Sequence, residues 1–156
     1  MSRSLDDLHP EIRWRAKDVQ KAAEEISIPI LIYNTLRTFA EQEALYEIGR
    51  SKPGKIVTNA KPGESYHNYG LAFDFVPVGP HSAPQWDDLE GFRIVGEIGE
   101  GLGLQWGGRW PKLKDSPHFQ MTFGLSVDLC RQLYDVGGIP AVWTEATTRY
   151  QERLWP

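Results

Sequence analysis

Two short segments hold the residue types that could bind a metal ion and use it. Ser65-Tyr66-His67-Asn68-Tyr69-Gly70-Leu71-Ala72-Phe73-Asp74-Phe75 carries a histidine and an aspartate, and Asp115-Ser116-Pro117-His118-Phe119-Gln120 carries the same pair in the opposite order. Imidazole nitrogen and carboxylate oxygen both suit zinc, whose catalytic sites keep three protein ligands and leave the fourth tetrahedral position to water. His67, Asp74 and His118 would fill those three places. Asp115 lies three residues before His118, where a tight turn through Ser116-Pro117 would hold its carboxylate beside the metal's water rather than on the metal. That is the position of a general base.

Taken singly, each histidine is more simply read as a hydrogen-bonded core or surface side chain. Asp74 changes the balance. It interrupts Leu71-Ala72-Phe73 and Phe75-Val76, a stretch that reads as a buried strand, where an unpaired carboxylate is costly. A metal ion would supply the missing charge. The other two histidines point elsewhere: His9 lies in a polar N-terminal stretch and His81 in a Gly/Pro-rich loop, so solvated roles are expected for both. Cys130 falls on a helical pattern, as a packed residue rather than a nucleophile.

The elements that would position these groups alternate in type. Pro10 to Ile26 reads as an amphipathic helix, with Ile12, Ala16, Val19, Ala23 and Ile26 on one face. A strand is expected over Ile28 to Tyr33. Thr38 caps a second helix, with Glu41 completing a capping box, that runs through Leu45-Tyr46 toward Gly49. A loop from Asn59 to Glu64 delivers His67 to the start of its strand, and a Gly/Pro-rich loop covers Pro77 to Pro84. Leu89 to Leu102 forms a third helix. Leu104 to Trp106 and His118 to Thr122 read as short strands separated by an irregular loop, and Ser126 caps a last helix that ends at Asp135 before Gly137-Gly138. The expected fold is α+β: one domain over residues 1–156, with helices packed around a small antiparallel sheet that carries the metal.

Composition narrows the function classes. A net charge of −4, dispersed along the chain, argues against nucleic acid as a partner. The 156 residues, 40% of them hydrophobic, suffice for one core without disulfides, and the single cysteine cannot form one internally. No apolar stretch approaches the roughly 20 residues that span a bilayer, so membrane insertion is not expected. Met1 to Asp7 lacks the apolar core of a secretory signal, which implies synthesis in the cytoplasm.

The motif S-x-H-x-x-G-x-A-x-D, followed by D-x-P-H-F, resembles the zinc D-Ala-D-Ala carboxypeptidase and L-alanoyl-D-glutamate endopeptidase family, most closely its endopeptidase branch of phage endolysins and bacterial wall hydrolases. The resemblance takes in Leu36-Arg37-Thr38-Phe39-Ala40-Glu41-Gln42, Leu45 to Arg50 and Trp106-Gly107-Gly108, and spans about Leu8 to Trp143. It implies a Zn²⁺ cofactor, Asp115 as base and then acid, and Arg37 as the partner of the oxyanion. Read by its surroundings alone, Arg37 could instead be a surface arginine supporting the helix N-terminus.

Gln42, Ser65, Tyr66 and Trp106 are candidate substrate-binding residues on the same basis. The plainer readings are a solvated helix glutamine for Gln42, a turn-shaping residue for Ser65 and a packed indole for Trp106. Trp110 could wall the same groove, and Arg109 departs from the acidic or neutral polar residue of relatives, adding a cation that could favour carboxylate-rich stems. The resemblance implies cleavage between L-Ala and D-Glu of the peptidoglycan stem peptide; no appended wall-binding module is evident, which fits a phage endolysin, and a monomer is expected. Such an enzyme acts on the wall after release from the cytoplasm. Two alternatives stand beside it: a D-Ala-D-Ala carboxypeptidase or dipeptidase, and a zinc-containing binding module without catalysis. Asp115 speaks against the latter, since a structural site needs no spare carboxylate.

Overall fold

The computed structural model describes residues 1–152; residues 153–156, which the single-domain expectation includes, lie outside the described residues. Helix α1, Pro10–Glu25, starts with proline at its first position and buries Ile12, Ala16, Val19 and Ala23, as the apolar spacing requires. Ile26 is exposed, because the helix closes on the Ile28 N–H to Ala23 O bond and Ser27 takes a left-handed φ of 63°. That closing turn also delays strand β1, which is Ile30–Asn34 rather than the expected Ile28 to Tyr33.

Helix α2, Phe39–Glu47, carries the full capping box: the Glu41 N–H donates to the Thr38 hydroxyl, and the Glu41 carboxylate accepts from the Thr38 N–H. Strand β2 is Ala72–Pro77, helix α3 Leu89–Gly101, strand β3 Gln105–Trp106 and strand β4 His118–Gln120. The last helix, α4, spans Val127–Glu152. Gly137-Gly138 ends its first part as expected: both depart from helical dihedrals, and beyond them a further helical stretch starts with Pro140 in its first turn, where the missing N–H costs nothing. The second half then buries Val142 and Ala146, and the Trp143 indole donates to Tyr69 O at 2.8 Å. This fastens the helix to the turn that carries His67.

The strands form one antiparallel sheet in the order β1-β2-β4-β3, so the expected α+β class holds. One face is aromatic. Phe75 stacks on Phe119 at 4.9 Å and meets Phe92 of α3 at 5.4 Å, with Phe73 beside them. The other face bears a polar row, because Asn34 pairs with Asp74 and Asp74 with His118 across three adjacent strands. Paired residues in an antiparallel ladder share a face, so the register alone brings two of the candidate ligands together.

His9 corrects the expectation of a solvated role. It is 1% exposed, caps α1 by accepting the Glu11 N–H at Nδ1, and donates from Nε2 to the Thr147 hydroxyl at 3.0 Å. Phe123 and Trp143 enclose the ring. Burial pushes its pKa down to about 4, against smaller opposing effects from a bond with the Trp143 backbone and the charge of Glu11. The folded state therefore binds this proton less readily than the unfolded chain, and stability is lost as pH falls from the unfolded value of about 6.5 toward the folded one. His9 should make the protein about 2 kcal/mol less stable at pH 5 than at pH 7. Urea unfolding of wild type and His9→Asn, which keeps a cap, measures this: the variant should lose that part of the pH dependence, and equal slopes would refute the assignment.

Candidate metal centre

His67 reaches the sheet from outside it. Ser65 caps a short 3-10 turn, Tyr66–Tyr69, by accepting the His67 N–H, and Gly70 ends the turn in the left-handed region at φ 67°. A side chain at Gly70 would meet both that dihedral and the Asp7 carbonyl, 2.6 Å from an added Cβ. The turn drops His67 onto the polar row, and Asn68 locks it by donating to Arg37 O and accepting from the Gly63 N–H.

Three ligand atoms converge there. His67 Nε2, His118 Nδ1 and Asp74 Oδ1 lie 3.1, 3.1 and 3.2 Å apart in pairs, and all three side chains are buried. The remaining ring nitrogens decide the tautomers. His67 Nδ1 faces the Thr35 carbonyl at 2.7 Å, so it carries the proton. His118 Nε2 faces Gln120 Oε1 at 3.0 Å, and Gln120 is oriented by donating its own amide to Gln105 Oε1. With the ring protons engaged elsewhere, the three converging atoms all present lone pairs. One proton can bridge one pair of them, whereas a cation serves all three. Ligands about 2.0–2.1 Å from a tetrahedral metal stand about 3.3 Å apart, close to the spacing found. The residues fit a metal ion.

Electrostatics agree. Burial pushes the Asp74 carboxyl up, but positive charge on His67 and His118, present when the imidazoles also carry protons toward the cluster, outweighs it and holds the group well below the usual carboxylate range; a cation in place of those protons would act in the same direction. The other Asp74 oxygen accepts from the Asn34 amide at 2.7 Å and faces the Arg37 guanidinium at 3.6 Å, which leaves Oδ1 for the metal.

The cluster forms the floor of a cleft of about 640 Å³ whose walls include Arg37, Ser65, Tyr66, Trp110 and Asp115. The turn through Ser116-Pro117 is present, closed by the His118 N–H on Asp115 O at 3.1 Å. Gly107 lets the loop approach: an added Cβ would stand 2.4 Å from Asp115 O and 3.1 Å from Asp115 Cβ. Asp115 opens onto the cleft, but the protein around it removes much of its hydration. That desolvation raises its pKa, Asp74 adds to the rise, and the two histidines and Arg37 oppose it.

Arg37 is nearly buried. Its Nη1 donates to Gln42 Oε1 at 2.8 Å, and the Gln42 amide donates in turn to Ala60 O. Gln42 therefore does not face substrate: it is fully buried beneath Arg37 with both ends of its amide engaged. Trp106 also leaves the candidate list, since its ring packs in the core against Gly96 of α3 and its indole donates to Ser116 O. Tyr66 lines the cleft but donates its hydroxyl to Leu125 O, and the Ser65 hydroxyl is occupied in capping. Arg109 turns away from the cleft to pair with Glu97 and Glu100 on α3. The residues that sequence reasoning missed are the orienting ones: Asn34, Thr35, Asn68 and Gln120. Only Asn34, a polar residue closing the apolar run Ile30-Leu31-Ile32-Tyr33, left any signal.

Residues 58–121, which include the whole ligand set, match the family described as D-alanyl-D-alanine carboxypeptidase. Over 123 residues the chain is 42% identical to the peptidoglycan L-alanyl-D-glutamate endopeptidase CwlK of Bacillus subtilis strain 168, covering 74% of each protein. It is 30% identical over 128 residues to the L-alanyl-D-glutamate peptidase of Listeria phage A118, covering 78% of this chain and 42% of the phage protein. Among solved structures, the L-Ala D-Glu endopeptidase ChiX of Serratia marcescens aligns with a TM-score of 0.53 at 27% identity, over 78% of this chain and 88% of that one. Identity at this level over most of both chains, together with the family match over the segment that holds the buried cluster, shows that the chain belongs to the M15 peptidases, the family of D-alanyl-D-alanine carboxypeptidases and L-alanyl-D-glutamate endopeptidases.

Proposed function

We propose that this chain is a zinc-dependent peptidoglycan hydrolase that cuts the bond between L-Ala and D-Glu of the wall's stem peptide. The observation that carries the reading is the convergence of three lone pairs, from His67, His118 and Asp74, on the floor of a cleft that also holds Asp115. Two imidazoles and one carboxylate suit zinc, whereas calcium and magnesium seek sets of six or more oxygens. The choice of bond is supported by the names of three relatives, CwlK, the phage peptidase and ChiX. The phage relative supports a lytic, endolysin role, and a site assembled from one chain supports a monomeric enzyme. Peptidoglycan as substrate puts its work on the wall, and no described helix is long and apolar enough to cross a membrane.

Zinc held by His67, Asp74 and His118 would supply Lewis acidity to the attacking water and the scissile carbonyl. Asp115 removes the water's proton and returns it to the leaving amine of D-Glu. Its raised pKa favours both halves of that cycle, since a carboxylate of ordinary acidity is a poor acceptor and then holds the proton too weakly to deliver it in step with bond cleavage. Arg37, held by Gln42, places a fixed positive charge beside the developing oxyanion.

The purified protein should hold one zinc per chain by elemental analysis, and His118→Ala should lose both metal and activity, because two ligands do not replace three. Full zinc occupancy in that variant would refute the ligand set. Asp115→Asn should retain zinc and fold while kcat drops on the order of 10²-fold or more, as expected for a removed general base. Loss of metal in this variant would make Asp115 a ligand instead. Mass analysis of digested muropeptides tests the bond: stems lacking terminal D-Ala should be cut about as well as complete ones, giving a fragment with D-Glu at its new N-terminus. Free D-Ala as the sole product would move the enzyme to the carboxypeptidases.

A further inference from the structure

Strands β1 and β2 slip by one residue at a single point. Ile32 pairs with Phe75 and Asn34 with Asp74, so Tyr33 is an extra residue on β1. A bulge of this kind breaks the alternation of a strand and re-aims a side chain. A regular strand would send Tyr33 and Asn34 to opposite faces; here both line the cleft. Trp86 packs edge-on against the Tyr33 ring, with centroids 5.3 Å apart and planes at 76°, and holds the ring in place.

The hydroxyl presented in this way has no hydrogen-bond partner among the described residues. It stands within electrostatic reach of Asp74, Asp115 and Arg37. Burial, followed by the two carboxylate charges, raises its pKa further above the ordinary phenol value, so the group stays protonated and keeps a donor without an acceptor. Arg37 cannot take this part alone. Its Nη1 donates to Gln42, its Nη2 faces Asp74, and its Nε is buried with no hydrogen-bond partner among the described residues, so much of its hydrogen-bonding capacity is turned to the protein while its charge acts on the cleft.

We propose that Tyr33 is a further catalytic residue, whose O–H donates a hydrogen bond to the scissile carbonyl oxygen as that oxygen gains negative charge. The inference rests on the peptidase reading of the cleft. As water attacks, the carbonyl π pair moves onto oxygen and meets the Tyr33 hydroxyl; when the C–N bond breaks, the pair returns and the leaving nitrogen takes its proton from Asp115. Tyr33 keeps its own proton throughout, so no exchange with solvent is needed between turnovers.

Tyr33→Phe removes the hydroxyl and leaves the ring and its contact with Trp86. With a stem-peptide substrate, kcat should fall about 10²-fold, the loss typical of one oxyanion donor, while KM changes less than about threefold. Zinc content and melting temperature should match wild type. A phosphinate isostere of the L-Ala–D-Glu bond, which carries the charge of the transition state, should bind the variant more weakly by a similar factor in calorimetry, and the cleaved product peptide should bind equally to both. Wild-type kcat in the variant, a rise in KM alone, or loss of zinc would each overturn the role. Failure of the wild-type protein to cleave any stem peptide would instead overturn the peptidase reading on which it rests.

Discussion

Asp74 puts a negative charge on the central strand of the sheet, where every residue of β2 is buried, and the rest of the structure is arranged around compensating it. In that setting an isolated carboxylate is expensive, and its usual escape, protonation, is opposed by positive charge on the cluster, whether carried by protonated imidazoles or by a cation. Asn34 and Arg37 occupy one of its oxygens, and His67 and His118 crowd the other. The same charge that would destabilise an apolar strand fits the cluster to a cation, because a small positive ion can serve all three converging lone pairs at once.

Precision at that point comes from supports that bear no metal ligand. The Thr35 carbonyl and Gln120 set the protons on the two imidazoles, so each ring offers the correct nitrogen to the cluster. Such partners orient a ligand and raise its basicity, and they commonly matter nearly as much as the ligands. Thr35 is itself held from the chain's first residues: its N–H donates to Ser2 O and its hydroxyl to Ser4 O. At the far end of the chain, Trp143 of α4 bonds the turn that carries His67. Both ends thus brace one small sheet, which accounts for the resemblance running over most of the length and not only over the motifs.

The carboxylate beside the cluster is placed differently. Asp115 sits on a loop, not a strand, held by the close approach of Gly107 and by the turn into β4. Arg109 ties that loop to α3 through Glu97 and Glu100, although these exposed pairs contribute little stability individually. In the role proposed for it, Asp115 must be oriented but must also exchange a proton with water and substrate, and a pinned loop opening onto the cleft satisfies both demands. The aromatic face on the other side of the sheet provides the rigid backing that makes such placement hold.

The His67, Asp74 and His118 cluster and the neighbouring Asp115 were legible in the sequence because their signals are local. His67 and Asp74 lie close together, as do Asp115 and His118, and a carboxylate inside an apolar run signals its own need for a partner. The helices were legible for a similar reason: apolar spacing and a capping box act over one or two turns. Positions defined by packing were not. Nothing near Gln42 or Trp106 in the chain distinguishes a residue facing substrate from one buried beneath it, and His9 reads as solvated until Phe123, Thr147 and Trp143 close over it from the far end. Gly137-Gly138 stopped the helix as its residues suggest, but that a second helical stretch follows depends on the surface that Val142 and Ala146 cover. Which carbonyl sets a tautomer and which strand residue is bulged into the cleft depend on contacts between segments remote in sequence, so only the tertiary structure decided them.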